Sequence, residues 1–173
     1  ATASYSASCP APVVSVSSAF EDQLIALGVD TDGKNGSVLL ASITNITSLD
    51  VSNSGITSLS GIEYFPNLET INCQGNLLTS INVSSNPALK YLDCSKNPLT
   101  TLDVSKNTQL TELYCDGVVI ITKKINAKTS VANQLTVLDV SKNLSLIKLS
   151  CSNNQIVSLD LSKNTLLTDV NCS

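Results

Sequence analysis

The chain has no histidine, methionine or tryptophan, and all ten of its basic residues are lysine, so it has no arginine either. Only 3% of its 173 residues are aromatic and 14% are charged. Each shortage excludes something. Without histidine, general-base chemistry falls to carboxylates or lysine. A net charge of -4 and a pI near 4.6 leave no basic patch for nucleic acid or an anionic membrane. No apolar run approaches the ~20 residues that a membrane-spanning helix needs. What is abundant is Ser, Thr and Asn. That composition, with lysine as the sole base and a start at Ala1 without Met, fits a processed, secreted bacterial protein.

One phrase, L-x-x-L-D-[CV]-S-K-N, occurs twice in Leu89 to Asn107, and variants of it run from Ile46 to the last residue. Its second apolar position is occupied by Leu49, Leu59, Ile71, Ile81, Leu92, Leu102, Leu113, Leu138, Leu149, Leu159 and Val170. The spacings alternate between 10 and 11 over Ile71 to Leu113 and again over Leu138 to Val170, a full period of 21 made of two halves. One half ends in Cys73, Cys94, Cys115, Cys151 or Cys172; the other ends in Val83, Val104, Val140 or Leu161. Apolar residues two apart, as in Leu92-x-Cys94, give the strand signal. Three residues after the Cys or the aliphatic residue comes Asn76, Asn86, Asn97, Asn107, Asn143, Asn154 or Asn164. Stacked asparagines can bond the backbone of their own turn and of the next one.

The period matches one coil of a leucine-rich-repeat solenoid. Residues 43–173 resemble bacterial secreted or cell-surface leucine-rich-repeat proteins of the nested 21-residue type, L-x-x-L-x-C-x-x-N-x-L-x-x-L-D-V-S-x-N, and the first repeat, LDVSNSGITSLSGIEYFPNLETINC, resembles the internalin type. The expected fold is a mostly β repeat of the α/β type. Parallel strands would stack in five to six coils, with the Cys phrases forming one sheet and the aliphatic phrases running along the opposite side.

The expected organisation has three parts: an extended arm over 1–17, in which Val13, Val14 and Val16 could lie along a sheet edge, a helical cap over 18–42 and a solenoid over 43–173. In the cap, Ser18 and Glu21 read as a capping box, Phe20, Leu24 and Leu27 share a face, and Gly28 is the stop. Ser37 to Ile43 reads as a short helix or turn. Asp30 and Asp32 are the candidate calcium ligands, but position 5 of that loop is Lys34, position 6 is Asn35 and position 12 is Ala41. These are not what an EF-hand needs, so no metal is expected. Between Cys115 and Leu135 the register gains 15 residues, placed at about 119–133, with Val118 where the repeat has Asn. This insertion, which carries Lys123 and Lys124, is either a surface excursion or a binding loop.

The five repeat cysteines replace buried aliphatics and point the same way, whereas a disulfide needs Cβ atoms turned toward each other. They are expected to be reduced, and a one-sided column without histidine cannot cage zinc. Cys9 lies outside the repeat and is either free or bonded to another chain.

The aliphatic face repeats Thr/Ser, Asp and Ser outward, with Asp103, Asp139 and Asp160 in line. Their stacking would raise one another's pKa, or each caps its turn. The Cys face varies from coil to coil: Tyr91, Asp93, Glu112, Tyr114, Asp116 and Lys148 gather there, beside the insertion. Exposed Tyr is favoured at recognition surfaces. The expected function is a non-enzymatic, cofactor-free, extracellular recognition or adhesion module that holds a protein or glycan. The alternative is a subunit of a head-to-tail filament. In it the last repeat strand, with Val170 and Cys172, would accept the arm of the next copy, with Cys9 placed to lock the contact.

Overall fold

The computed structural model of the chain describes residues 11–117 and 133–173. It begins with strand β1 (Val13–Ser15), helix α1 (Ser18–Ala26), strand β2 (Ser37–Leu39) and the short helix α2 (Leu40–Ile43). Six strands follow: β3 (Ser48–Asp50), β4 (Thr70–Asn72), β5 (Tyr91–Asp93), β6 (Glu112–Tyr114), β7 (Lys148–Ser150) and β8 (Asp169–Asn171). They form one parallel sheet in sequence order, about five turns of solenoid. This is the leucine-rich-repeat solenoid expected from the period. Ser48–Asp50 heads the Cys sheet, and the aliphatic phrases form no strand among the described residues.

The core follows the marker columns. Leu49, Ile71, Leu92, Leu113 and Leu149 are buried on the sheet side, and Leu102, Leu138, Val83, Val104 and Val140 on the other. Each coil thus buries its apolar side chains on those of its neighbours. Cys73, Cys94, Cys115 and Cys151 fill the next column, all free and buried. The thiols of Cys73, Cys94 and Cys115 point at the carbonyl oxygens of Asp93, Tyr114 and Ser150 one coil on, at 3.3, 3.5 and 3.5 Å. Burial holds the thiols of Cys73, Cys94 and Cys115 well above the ordinary range and pushes that of Cys151 up to about 12. Cys172 corrects the expectation of five shielded thiols: it is free but exposed, because no coil of the described chain packs outside β8.

The asparagines form two ladders. On the sheet side Asn97 donates from Nδ2 to Cys73, Cys94 and Ser95 carbonyls and accepts at Oδ1 from the Leu78 amide. Asn76 and Asn154 do the same in their coils. At the register break this role falls to Asn133, which donates to the Cys94, Cys115 and Asp116 carbonyls and accepts from Leu99 N–H. Val118 does not replace the ladder asparagine. The insertion is therefore 118–132, one residue earlier than expected, and Gly117–Asn133–Gln134–Leu135 restores the repeat's wording around it. The inserted residues, with Lys123 and Lys124, lie outside the described residues, as does Cys9. Gly117 is required where the chain leaves: a Cβ there would collide with the Asn153 carbonyl oxygen.

The cap departs from expectation in three ways. First, the arm is packed from residue 13 onward. β1 pairs antiparallel with β2, Val16 is buried, and Ser17 binds coil one through its amide to Ser60 O and its hydroxyl to Ser58 O. Val13, Val14 and Val16 thus take the sheet-edge place that the sequence left open for them. Gly61 (φ +108°) leaves room for this, since a Cβ there would lie 2.5 Å from Val16 Cγ1. Second, there is no capping box: the N-cap is Ser17, and buried Glu21 accepts from the Asn35 and Gly36 amides instead. Third, Leu27 is exposed, while Phe20 and Leu24 are buried and Phe20 stacks at 6.0 Å on Phe65 of coil one. Gly28 does end the helix, at φ +70°, with Gly28 N–H bonding Ile25 O and Val29 N–H bonding Leu24 O, a Schellman turn.

Two predictions follow from the ladder and the column. Deleting residues 118–132 restores the 21-residue spacing and, with a shorter loop to close, should leave Tm within about 3 °C, whereas Asn133→Ala leaves the buried Leu99 amide without an acceptor and takes one of two donors from the Cys94, Cys115 and Asp116 carbonyls, and should lower Tm by roughly 4–8 °C, or about 2 kcal/mol; thermal circular dichroism compares the two. Iodoacetamide mass spectrometry of the native protein should find Cys172 modified and Cys73, Cys94, Cys115 and Cys151 unmodified until denaturant is added.

Candidate functional site

A parallel ladder sets every outward residue of one strand beside its equivalent on the next. The register pairs Tyr91 with Glu112, Glu112 with Lys148 and Lys148 with Asp169 in one row. A second row pairs Asp50 with Asn72, Asn72 with Asp93, Asp93 with Tyr114 and Tyr114 with Ser150. Tyr91 and Tyr114 are therefore diagonal neighbours, and their rings meet at 5.5 Å with a 43° tilt.

Polar contacts fix the pair. The Tyr114 hydroxyl donates to Glu112 Oε2 at 2.9 Å, and Lys148 Nζ reaches Glu112 Oε1 at 3.2 Å. Desolvation and then the hydrogen bond to Glu112 push the Tyr114 phenol up to about 12. Desolvation, then the charges of Asp93, Glu112 and Asp50, raise Tyr91. Both phenols are therefore neutral donors at physiological pH. Asp93 is buried, 8% exposed, and its Oδ1 accepts the Ser95 amide at 3.0 Å. Asp116 Oδ1 takes the Ser150 hydroxyl and the Ser152 amide, both at 2.7 Å, which orders the sheet edge where the insertion departs. A depression of about 210 Å³ beside the pair is lined by Tyr114, Lys148, Ser150, Asp169 and Asn171.

The structure thus brings together Tyr91, Asp93, Glu112, Tyr114, Asp116 and Lys148. It leaves Val170 and Cys172 apart, exposed at the open edge of β8. The sequence reading does not find Ser95, Ser150 and Ser152 as partners of the acids, although the L-x-C-S wording of Leu92 to Ser95 and Leu149 to Ser152 signals Ser95 and Ser152. Asp30 is buried with one oxygen unpartnered, and desolvation first, then Asp32, raise its pKa. Its other oxygen takes the Asp32 amide at 3.4 Å, and Lys34 turns away to Asp22 at 2.6 Å. Among the described residues no three His, Cys, Asp or Glu side chains form a metal cage.

The opposite face is periodic and self-compensated. Asp103, Asp139 and Asp160 accept the amides of Ser105, Ser141 and Ser162 at 2.8 Å each, and Asn82 does the same for Ser84 at 3.1 Å. These bonds hold the three aspartates below the usual carboxylate range. The expected mutual raising loses: Asp103 acts on Asp139 only as the smallest influence, and Lys106, Lys142 and Lys163 offset the charge. A depressed native pKa gives stability that is present above the unfolded value, about 3.9, and lost as pH falls through the native value. The Asp103→Asn/Asp139→Asn/Asp160→Asn variant keeps each turn bond, as Asn82 does, and should lose less Tm than the parent between about pH 5 and pH 2.5.

The family model described as leucine-rich repeats (2 copies) matches residues 44–86. No curated protein matches the sequence. Internalin C2 from Listeria monocytogenes is similar at 21% identity and a TM-score of 0.70, over 90% of this chain and 63% of that one. A leucine-rich-repeat protein of Leptospira interrogans shares 19% identity at a TM-score of 0.50, over 76% and 38%. The functional domain of InlJ from L. monocytogenes, described as including a cysteine ladder, is 30% identical at a TM-score of 0.49, over 94% and 43%. The chain spans less than two thirds of the length of each of these. Together with the repeat match, the likeness to internalin C2 establishes the leucine-rich-repeat solenoid.

Proposed function

We propose that the protein is a non-enzymatic recognition module of the cell surface or extracellular space, which holds a partner on the Cys-strand face. The observation that carries this reading is the contrast between the two sides of one repeat. Each coil has the same backbone needs, and from Asn82 to Ser162 the aliphatic side meets them with the same Asn- or Asp-x-Ser bond. The Cys side keeps the inward residues constant while placing a tilted tyrosine pair, two acids and a lysine outward. Leucine-rich-repeat scaffolds commonly serve as interaction modules, and their rigid sheets present side chains at low entropic cost. The nested 21-residue motif and its resemblance to secreted and surface repeat proteins support the location.

Reactivity points the same way. The sheet-side thiols of Cys73, Cys94, Cys115 and Cys151 are held protonated in the core, so they are packing groups rather than nucleophiles. The filament alternative loses Val13–Ser15 as a donated strand, since that strand already pairs with β2 of its own chain.

The test is capture of ligands from a glycan array and a surface-displayed peptide library, followed by Tyr91→Ala/Tyr114→Ala. The double variant should lower affinity roughly a hundredfold, as the loss of a central aromatic anchor does. The same affinity in parent and variant would place the site elsewhere. The Asp103→Asn/Asp139→Asn/Asp160→Asn variant serves as the control for the other face.

A further inference from the structure

The charge of the molecule is not evenly spread. On the aliphatic side, Asp103, Asp139 and Asp160 are matched one for one by Lys106, Lys142 and Lys163. At the rim of the sheet Glu69 is paired with Lys90 at 2.9 Å. The outward rows of the sheet carry Asp50, Asp93, Glu112, Asp116 and Asp169 against Lys148 alone, among the described residues. The negative charge is therefore concentrated on the face that also carries the tyrosine pair.

Asp93 is the focal point. It lies directly across the ladder from Tyr114 and two residues from Tyr91 on the same face of the sheet. It is nine-tenths buried, yet Oδ1 has one backbone amide and Oδ2 takes no hydrogen bond from any described residue. Oδ2 still meets water, so an incoming donor or cation can reach it without displacing an internal partner. Glu112, by contrast, has both oxygens committed, one to the Tyr114 hydroxyl and one to Lys148 Nζ. Tyr91 and Tyr114 are neighbours of Asp93 on this face of the sheet, with their rings in contact, and aromatic faces attract cations.

Resting on the recognition reading above, we propose that this face docks a basic segment of a partner protein, one Lys or Arg side chain lying over the Tyr91–Tyr114 rings with its charged head on Asp93 Oδ2. Neighbouring basic residues of that segment meet Asp50 and Asp169 along the same rows. Lys148 acts as an internal competitor: its ammonium neutralises Glu112 at the edge of the site. A neutral glycan would use the tyrosines without needing the surrounding acids, and an acidic partner would be repelled.

The probes are three fluorescein-labelled peptides that differ only in carrying three Arg, three Gln or three Glu, together with neutral oligosaccharides on an array. Fluorescence anisotropy should show the Arg peptide binding at least roughly tenfold tighter than the Gln peptide, with the Glu peptide silent. Asp93→Asn keeps the Ser95 turn bond, so it should fold with an unchanged melting curve yet lose roughly tenfold in Arg-peptide affinity. Lys148→Ala, which frees Glu112, should bind that peptide more tightly than the parent. The Asp103→Asn/Asp139→Asn/Asp160→Asn variant should stay within about twofold, since distant surface charge is screened. Equal affinity for the Arg and Gln peptides, or equal losses in Asp93→Asn and the far-face variant, overturns the proposal. Oligosaccharide binding that disappears in Tyr91→Ala/Tyr114→Ala while the Arg peptide stays inert overturns the basic partner but leaves the recognition face standing. Silence of every probe on the parent protein counts against both.

Discussion

A solenoid turns corners as often as it runs straight, and every corner buries carbonyls that no strand ladder can reach. The structure depends on how these are satisfied, because an orphaned buried peptide group costs as much as a lost hydrogen bond. Asparagine meets the need here because its amide carries two donors to span two coils and an acceptor besides. The sheet-side ladder of Asn76, Asn97, Asn133 and Asn154 uses both ends of the amide. The aliphatic-side ladder of Asn86, Asn107, Asn143 and Asn164 uses only the donors: each bonds two carbonyls of the preceding coil, and each Oδ1 is buried without a partner among the described residues. The sheet side, with its strand ladder and complete asparagine bonds, is the stiffer wall. The aliphatic side hangs together through side chains alone.

The cysteine column follows from the same geometry. The position directly after each strand is packed between neighbouring coils, where Cys73, Cys94 and Cys115 are fully buried. A thiol is small and apolar, and its weak S–H donor can lean on the next coil's carbonyl. Val51 fills the same column in coil one, where it too is buried. The cysteines are thus interchangeable with aliphatics in shape.

This explains which features could be read from the amino acids. Stacking makes each inward column a list of equivalent residues, so the period, the strands, the reduced thiols and the diagonal meeting of Tyr91 and Tyr114 were all legible. What was hidden depended on contacts outside the repeat. Asn133 was misplaced because counting from Cys115 in sequence stops at Val118, whereas the ladder counts in space. Glu21 looked like a capping residue until the Asn35–Gly36 turn, 14 and 15 residues away, claimed its carboxylate. The aligned aspartates looked like mutual repulsion because the turn amides of Ser105, Ser141 and Ser162 are stronger neighbours than the next coil's charge. In the candidate site the residue types were legible, but the commitment of Glu112 to Tyr114 and Lys148, and the lack of any such commitment at Asp93, was not.

That difference between two acids set diagonally on adjacent strands bears on how such a surface acquires a specificity. A rigid sheet costs nothing to preorganise, so the energetic effect of an outward side chain depends on whether its polar atoms are already spent within the protein. Glu112 is spent, and its role is to hold the Tyr114 ring in place. Asp116 is largely spent on Ser150 and Ser152 of the next coil. The tyrosine rings and Asp93 keep unsatisfied capacity, and the backbone ladder that pairs Asp93 with Tyr114 fixes their separation before any partner arrives. The constant half of the repeat supplies the rigidity, and the few unspent groups on the variable half are where a partner's chemistry is selected.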